Sequence, residues 1–378
     1  MAVGDSNLFF SRDTKVFLKQ GSNIWEIPVL NGYTFSQSTN SSTITLQEMS
    51  DASGNSRRGQ RVFNDSLSPA EWSFDSYARP TLVSGTPDKM FAVEEALWAN
   101  FVGQNSYTAG STSWAVGVTR SDTELDFDFD DSNKTFLGTF DLYFIYGANK
   151  VTGLNYTASD VTTIYKMTSC VVNEASIQFD IDGITTISWS GNGKTIVEEA
   201  AFDATGAIQT GITQDTNLIR NRLTALAAVS SVSGSAVTYD ITLTGGSLTL
   251  SNNITFLTPE TLGVVNVPLE HVSGTRSVSG SFTCYLDEKT NGSIDLYEDL
   301  IGATTTVTNA FALDFYIGGK AGGDNPVAPG IQFKMGQCHL EVPSITNDDV
   351  IGLEVNFTAL PSTISGTNEI TRIRYIGV

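Results

Sequence analysis

Histidine is almost absent from this chain. His271 and His339 are the only two in 378 residues, which leaves little for imidazole acid–base chemistry or a histidine-rich metal site. Cysteine is nearly as scarce: Cys170, Cys284 and Cys338, with no C-x-x-C spacing. That excludes a disulfide framework and a Cys/His zinc site of ordinary spacing, and leaves three thiols as small buried apolar groups in a reducing compartment. Positive charge is short as well. Lys plus Arg number 21 against 41 Asp plus Glu, a formal net charge of −20. So acidic a chain does not wrap duplex DNA or sit on an anionic membrane, because both need a cationic surface. It can still surround DNA as an acidic channel without holding it. No stretch approaches the roughly 20 apolar residues of a membrane-spanning helix. The opening Met1–Ser6 has neither the basic nor the apolar part of a secretory signal, so no signal peptide is expected. G-x-S-x-G and H-E-x-x-H patterns are missing. Gly191–Thr195 lacks the spacing of a phosphate-binding loop and reads as a turn.

What is present points to β-structure. Hydrophobic residues make up 40%, enough for a core, while only 16% are charged, glycine reaches 34 residues, and Ser, Thr and Asn abound. That balance favours an all-β chain over helices or disorder. The length fits two domains or one large one.

The chain also repeats itself. Ile164-Tyr-Lys166-Met167-Thr-Ser-Cys170 returns as Gln332-Phe-Lys334-Met335-Gly-Gln-Cys338, an offset of 168 from Cys170 to Cys338 that carries on through Ser176-Ile177 and Ser344-Ile345. Extended further, it sets Ile187 on Val355 and Trp189 on Phe357. Ser73-Phe74 through Tyr77 matches Ser281-Phe282 through Tyr285, 208 residues on. A short helical stretch follows each, Phe91–Trp98 and Ile294–Ile301. Pro28 with Gly32 is set against Pro259 with Gly263. The pairs keep one order, so the copies are collinear, with extra residues in the first. Ser50–Ser66 reads as a loop within that excess.

Each copy reads as a β-sandwich or half-open barrel with one packed helix. A hairpin is expected at Leu8–Leu18 around Ser11–Thr14, matched by Tyr239–Leu250 around Thr244-Gly245-Gly246. Strands are expected at Ala70–Tyr77 and Ser279–Leu286. Two-strand endings are expected at Met167–Phe179 with Ile184–Gly191, and at Met335–Ile345 with Ile351–Leu360. Asn217–Thr224 reads as a short helix running into a strand, and the basic Ile370–Ile376 as a final strand. The fold class is therefore all-β dominated, with two tandem tube-like domains: residues 1–195, with insertions near 50–66 and 103–133, a connecting segment 196–235, and residues 236–378.

Two local features suggest sites. Along a strand, Glu124, Asp126, Asp128 and Asp130 share one face and Leu125, Phe127 and Phe129 the other. The acidic face is a candidate channel wall. A calcium loop is excluded, since Asp131 replaces the required glycine and position twelve is Leu137. Carboxylates so placed also serve glycosidases, although nothing sets an acid apart from a base here. The plain alternative is a solvated edge strand that resists aggregation. Arg57, Arg58 and Arg61 form a basic loop on an acidic protein, suited to docking on a neighbouring acidic subunit or simply exposed. No catalytic set, cofactor site or metal site is identified.

A duplicated β-domain without a catalytic set points to assembly: three such chains give six like positions in a ring. The repeat, the strand-then-helix segments Ser73–Trp98 and Ser281–Ile301, and the run Leu243–Pro259 resemble bacteriophage tail tube proteins of the duplicated type. The resemblance covers most of Leu8–Gly193 and Val237–Val378. It implies a virion protein made in the host cytoplasm, a homotrimeric ring with pseudo-sixfold symmetry, and stacking into a hollow conduit that meets other tail proteins. One sheet of each sandwich would face the lumen, sheets would join across subunits, and DNA would pass at ejection without specific binding. Long insertions in one copy depart from strict sixfold equivalence. The rival readings are another virion or surface β-protein (hub, decoration protein or adhesin) and a β-sandwich carbohydrate enzyme using Asp126 and Asp128.

Overall fold

The computed structural model describes residues 8–45, 53, 60–84, 89–129, 136–159, 162–214, 216–230, 236–259, 261–262, 265–302, 311–319, 329–347, 349–364, 366 and 368–377. The chain is dominated by antiparallel β-structure and carries two α-helices among the described residues, as the composition implied.

In the first half, β1 (Thr14–Gln20), β2 (Asn23–Ile27), β3 (Thr34–Ser36) and β4 (Ala70–Tyr77) precede α1 (Glu95–Val102). Then come β5 (Glu124–Phe127), β6 (Phe140–Tyr146), β7 (Thr163–Asp180) and β8 (Thr186–Gly193). The second half holds β9 (Ala225–Ser230), β10 (Val237–Tyr239), β11 (Leu243–Ser251), β12 (Ser277–Tyr285) and α2 (Ser293–Gly302). It ends with β13 (Phe311–Gly318), β14 (Gly330–Leu340), β15 (Ser344–Asn347), β16 (Ile351–Ala359) and β17 (Arg372–Ile376).

Each half has a flanking ladder, β2–β1–β6–β7 in the first and β10–β9–β13–β14 in the second. The repeat is visible in the register. Phe140 lies opposite Cys170 and Leu142 opposite Met167, with a bulge between; Phe311 lies opposite Cys338 and Leu313 opposite Met335, with the same bulge. A bulge bends its strand and increases its twist. At this point β7 leaves the flanking ladder and enters a second sheet.

That second sheet runs through both halves in the order β3–β4–β8–β7–β11–β12–β16–β15. The two halves meet inside it, where Ala175 faces Leu250 and Ile177 faces Leu248. Phe74 opposite Trp189 corresponds to Phe282 opposite Val355. The offset of 208 between β4 and β12 therefore holds in the ladder. The extension that set Trp189 on Phe357 slips by two residues: Trp189 takes the place of Val355, because the turn into β16 is two residues shorter. A two-residue slip keeps each side chain on its own face.

Between the spanning sheet and the flanking ladders lies one hydrophobic cluster containing residues of both halves, among them Trp72, Trp98, Trp189, Phe282, Phe333 and Tyr375. A smaller cluster of Phe17, Tyr143, Tyr156 and Phe202 packs on the back of the first ladder.

Several local expectations change. Ser11–Asp13 is a 3-10 turn, and the hairpin of this region is β1–β2, matched by β9–β10. Residues 225–230, placed in the connecting segment, thus pair within the second half's ladder. Leu243–Ser251 is one unbroken strand rather than a hairpin. Gly246 is there for space: a Cβ would come within 2.6 Å of the Ser281 carbonyl oxygen and 2.7 Å of the Phe179 ring. Helix α1 begins later than its apolar pattern suggested, because Lys89–Ala92 is a strand. Asn221–Leu223 is a 3-10 turn before β9. Part of the expected loop is ordered as a long hairpin, Thr39–Thr45 against Gln60–Leu67. Gly263 lies outside the described residues, and the ladder matches Thr34 with Ser247.

Candidate functional site: the polar face of the spanning sheet

Strand alternation gives the spanning sheet two unlike faces. One carries Phe74, Trp189, Ile177, Leu248, Phe282 and Val355 into the core. The other carries hydroxyls and amides in rows across the strands. One row reads Asp75, Ser188, Ser176, Thr249, Ser279, Thr358; the next reads Tyr77, Thr186, Gln178, Ser247, Ser281, Asn356. Neighbouring hydroxyls bond across strands: Thr34 with Ser73 at 2.8 Å, Ser176 with Thr249 at 3.2 Å and Ser247 with Ser281 at 3.3 Å.

The charges on this face are all of one sign. Glu71, Asp75, Glu174, Asp180 and Glu354 project from it. The eight strands contain no arginine, and their only lysine, Lys166, lies in the flanking half of β7 beside Asp141. The result is a wide, hydroxyl-rich surface of negative potential, with open depressions beside Gln178, Thr186, Ser247 and Ser281 and beside Thr34, Glu71, Ser73 and Ser190. Among the described residues its strands offer no cation on this face to hold a phosphate.

The acidic strand lies elsewhere. β5 pairs with β17, setting Asp126 opposite Arg374, and β17 in turn pairs with β14. Leu125 and Phe127 are buried, as the alternation required. Arg374 donates from Nε to Asp126 Oδ1 at 2.5 Å, from Nη2 to Asp126 Oδ2 at 2.8 Å, and from Nη1 to Glu124. The guanidinium is bidentate on Asp126 and also reaches Glu124, offsetting part of their charge, so these two carboxylates sit in a strand junction. Asp128 is held above the usual carboxylate range by partial burial and then by Asp126, against the pull of Arg372 and Arg374. Asp130, Arg57 and Arg58 lie outside the described residues. Arg61 is exposed on the long hairpin beside Val62 and Phe63, which are 57% and 51% exposed.

The other titratable groups serve packing. Burial pushes the Cys284 and Cys338 thiols up to about 12 and raises Cys170 too, so all three stay protonated and unreactive. Glu94, beside α1, is fully buried and pushed up to about 7 by desolvation. It accepts from the Tyr375 hydroxyl and from the Arg79 amide at 3.0 Å, and Tyr375 in turn accepts from Trp98 Nε1 at 2.9 Å. Among the described residues no three His, Cys, Asp or Glu side chains are grouped to hold a metal ion.

The polar face escaped a search for local motifs because it is spread over eight strands. The signal that finds it is negative: strand after strand without a cation, with Ser or Thr at alternate positions, as in Thr186-Ile-Ser-Trp-Ser190 and Ser277-Val-Ser-Gly-Ser-Phe-Thr283.

One broad sheet, apolar on one face and hydroxyl-rich on the other, thus runs through both halves of the chain. The sequence profile of the phage tail tube protein family matches residues 71–359. This chain belongs to that family and is a structural component of a phage tail. It is 32% identical over 372 residues to the tail tube protein pb6 of Escherichia phage T5, an alignment covering 95% of this chain and 74% of that protein.

Proposed function

We propose that three copies of this chain close into a ring with six like positions, that rings stack into a tube, and that the hydroxyl-rich face of the spanning sheet lines the channel through which DNA passes at ejection. The observation that carries this reading is the absence of any lysine or arginine on that face, across both halves and over the seam between them. A phosphate backbone moving past such a wall meets repulsion and neutral hydrogen-bonding groups, and no counterion-releasing contact forms to hold it. Repulsion within about one Debye length, roughly 8 Å at physiological salt, keeps the duplex centred. The role is mechanical and electrostatic, without a catalytic step. In this arrangement the paired strands Thr39–Thr45 and Gln60–Leu67 reach an adjacent ring: exposed Val62 and Phe63 provide apolar contact, and Arg61, together with Arg57 and Arg58 of the intervening sequence, supplies positive charge to an acidic neighbour.

The test is charge reversal on the wall. Asp75→Lys, Glu174→Lys and Glu354→Lys together put cations on strands of both halves without touching the core. Tubes should form normally under negative stain, and DNA ejection from phage carrying the variant should slow several-fold, more so at low salt. Ejection at the wild-type rate overturns the channel-wall assignment.

A further inference from the structure

The chain contains a worked example of how its own sheet is joined. At the seam between the halves, the second part of β7 adds to β11, with Ile177 opposite Leu248, Ser176 opposite Thr249 and Gln178 opposite Ser247. Both apolar side chains vanish into the core, at 0% and 1% exposure.

Strand β15 is the second copy of that part of β7, with Ser344-Ile345 standing where Ser176-Ile177 stands. It pairs with β16 on one edge, as β7 pairs with β8. On its other edge, where β11 would lie, no strand pairs with it among the described residues. Ile345 is accordingly 43% exposed where Ile177 is sealed. At the opposite end of the sheet, β3 is the first copy of β11: Thr34 faces Ser73 as Ser247 faces Ser281, which puts Phe35 in the place of Leu248. The far edge of β3 is likewise unpaired among the described residues. Phe35 is only partly buried, stacked on Phe144 at 4.4 Å. The sheet thus ends on one side in the strand that a seam donates and on the other in the strand that a seam receives. Unpaired edges of this kind are templates for another chain.

We propose that β15 of one protomer pairs antiparallel with β3 of the next, in the register of the internal seam: Ile345 opposite Phe35, Ser344 opposite Ser36 and Thr346 opposite Thr34. The occupant of each free edge is a second copy of this chain, and the polar face continues across the junction without a break. This rests on the ring reading above and adds to it the strands and the register.

Ser36→Cys/Ser344→Cys places thiols where the internal seam holds Ser176 and Thr249 hydroxyls 3.2 Å apart. The native cysteines are buried and do not compete. Assembled tubes of this variant, oxidised and run on a non-reducing gel, should show chain-to-chain disulfides. Their yield should be at least tenfold above that of Thr34→Cys/Ser344→Cys, which is out of register by two. Tubes that assemble but do not cross-link, or that link the offset pair as readily, overturn the seam while leaving the ring intact. Ile345→Asp gives an independent reading. It should leave the thermal melt of the monomer unchanged and abolish tubes, and wild-type tube formation by it overturns the proposal. Wild-type protein that never forms rings removes the ring reading itself.

Discussion

The two helices follow corresponding strands, yet they live in different surroundings. Every residue of α1 is buried, whereas in α2 only Ser293, Leu296 and Leu300 are. The difference lies in what packs over the helix in the first half. The segment after α1 folds back over it, with Arg120 reaching Glu95 at 3.2 Å and Trp114 donating to the same carboxylate at 3.4 Å, and the C-terminal strand brings Tyr375 to Glu94. Helix α2 keeps a simpler arrangement: Ser293 Oγ donates to the Tyr285 carbonyl at 2.7 Å and accepts from the Asp287 amide at 2.8 Å, leaving an outer face in solvent. The same element can serve as a surface brace or as the centre of a core, depending on what later segments cover. Burial brings its own electrostatic demands, since a carboxylate taken out of water must be paired or protonated.

The largest test of this contrast is truncation. Trp98 is fully buried, edge-on to Trp189 with centroids 4.7 Å apart. Trp98→Ala should cost about 3–5 kcal/mol. Leu300→Ala, on the half-exposed helix, should fall at or below the lower end of the usual range, about 2 kcal/mol. Denaturant midpoints of the two variants decide it; equal losses would show that α1 is no more central than α2.

Titration separates the helices next. Glu94 sits at about 7 in the folded chain against an ordinary value of 4.5. The folded state therefore binds the extra proton between these values, and stability contributed by protonated Glu94 is present at pH 4.5 and lost as pH rises through 7. The loss is on the order of 3 kcal/mol. In Glu94→Gln this part of the pH dependence should disappear, as read by melts across pH 4.5–8. An unchanged slope would reject Glu94 as its source.

The smallest of the three effects concerns ion pairs. Arg374→Ala strands Glu124 and Asp126 in a partly buried junction and should cost about 2 kcal/mol. Lys289→Ala removes solvent-exposed contacts to Asp240 and Asp287 in the second half, and should cost under about 0.5 kcal/mol. Comparable losses would mean that the junction is no stronger than a surface pair.

Much of this architecture is legible in the residues. The recurrence of Lys-Met-x-x-Cys marks the same bulged strand in both halves, and alternation places Leu125, Phe127, Phe74 and Phe282 inward. The last strand is readable from Ile370–Ile376. Its partner is not, because Arg374 meets Asp126 from 248 positions away, and no local pattern encodes so distant a pairing. For the same reason Glu124 and Asp126, which look bare in the sequence, turn out to share an arginine. Gly245-Gly246 misleads in another way. Glycine pairs usually signal a turn, but here the missing Cβ makes room for a ring from the neighbouring strand. The long polar face is invisible to motif reading, since each strand contributes only a few hydroxyls and the pattern exists only after the strands are laid side by side.

The 18-residue strand β7 takes part in both layers. Its first half bonds to β6 and its second half to β8 and β11. Pressure on the polar layer therefore reaches the flanking ladder along covalent backbone, without relying on side chains to transmit it. The two layers are held like the panels of a creased plate: neither can slip past the other unless the crease itself yields, so stiffness against shear is built into the connectivity of a single strand.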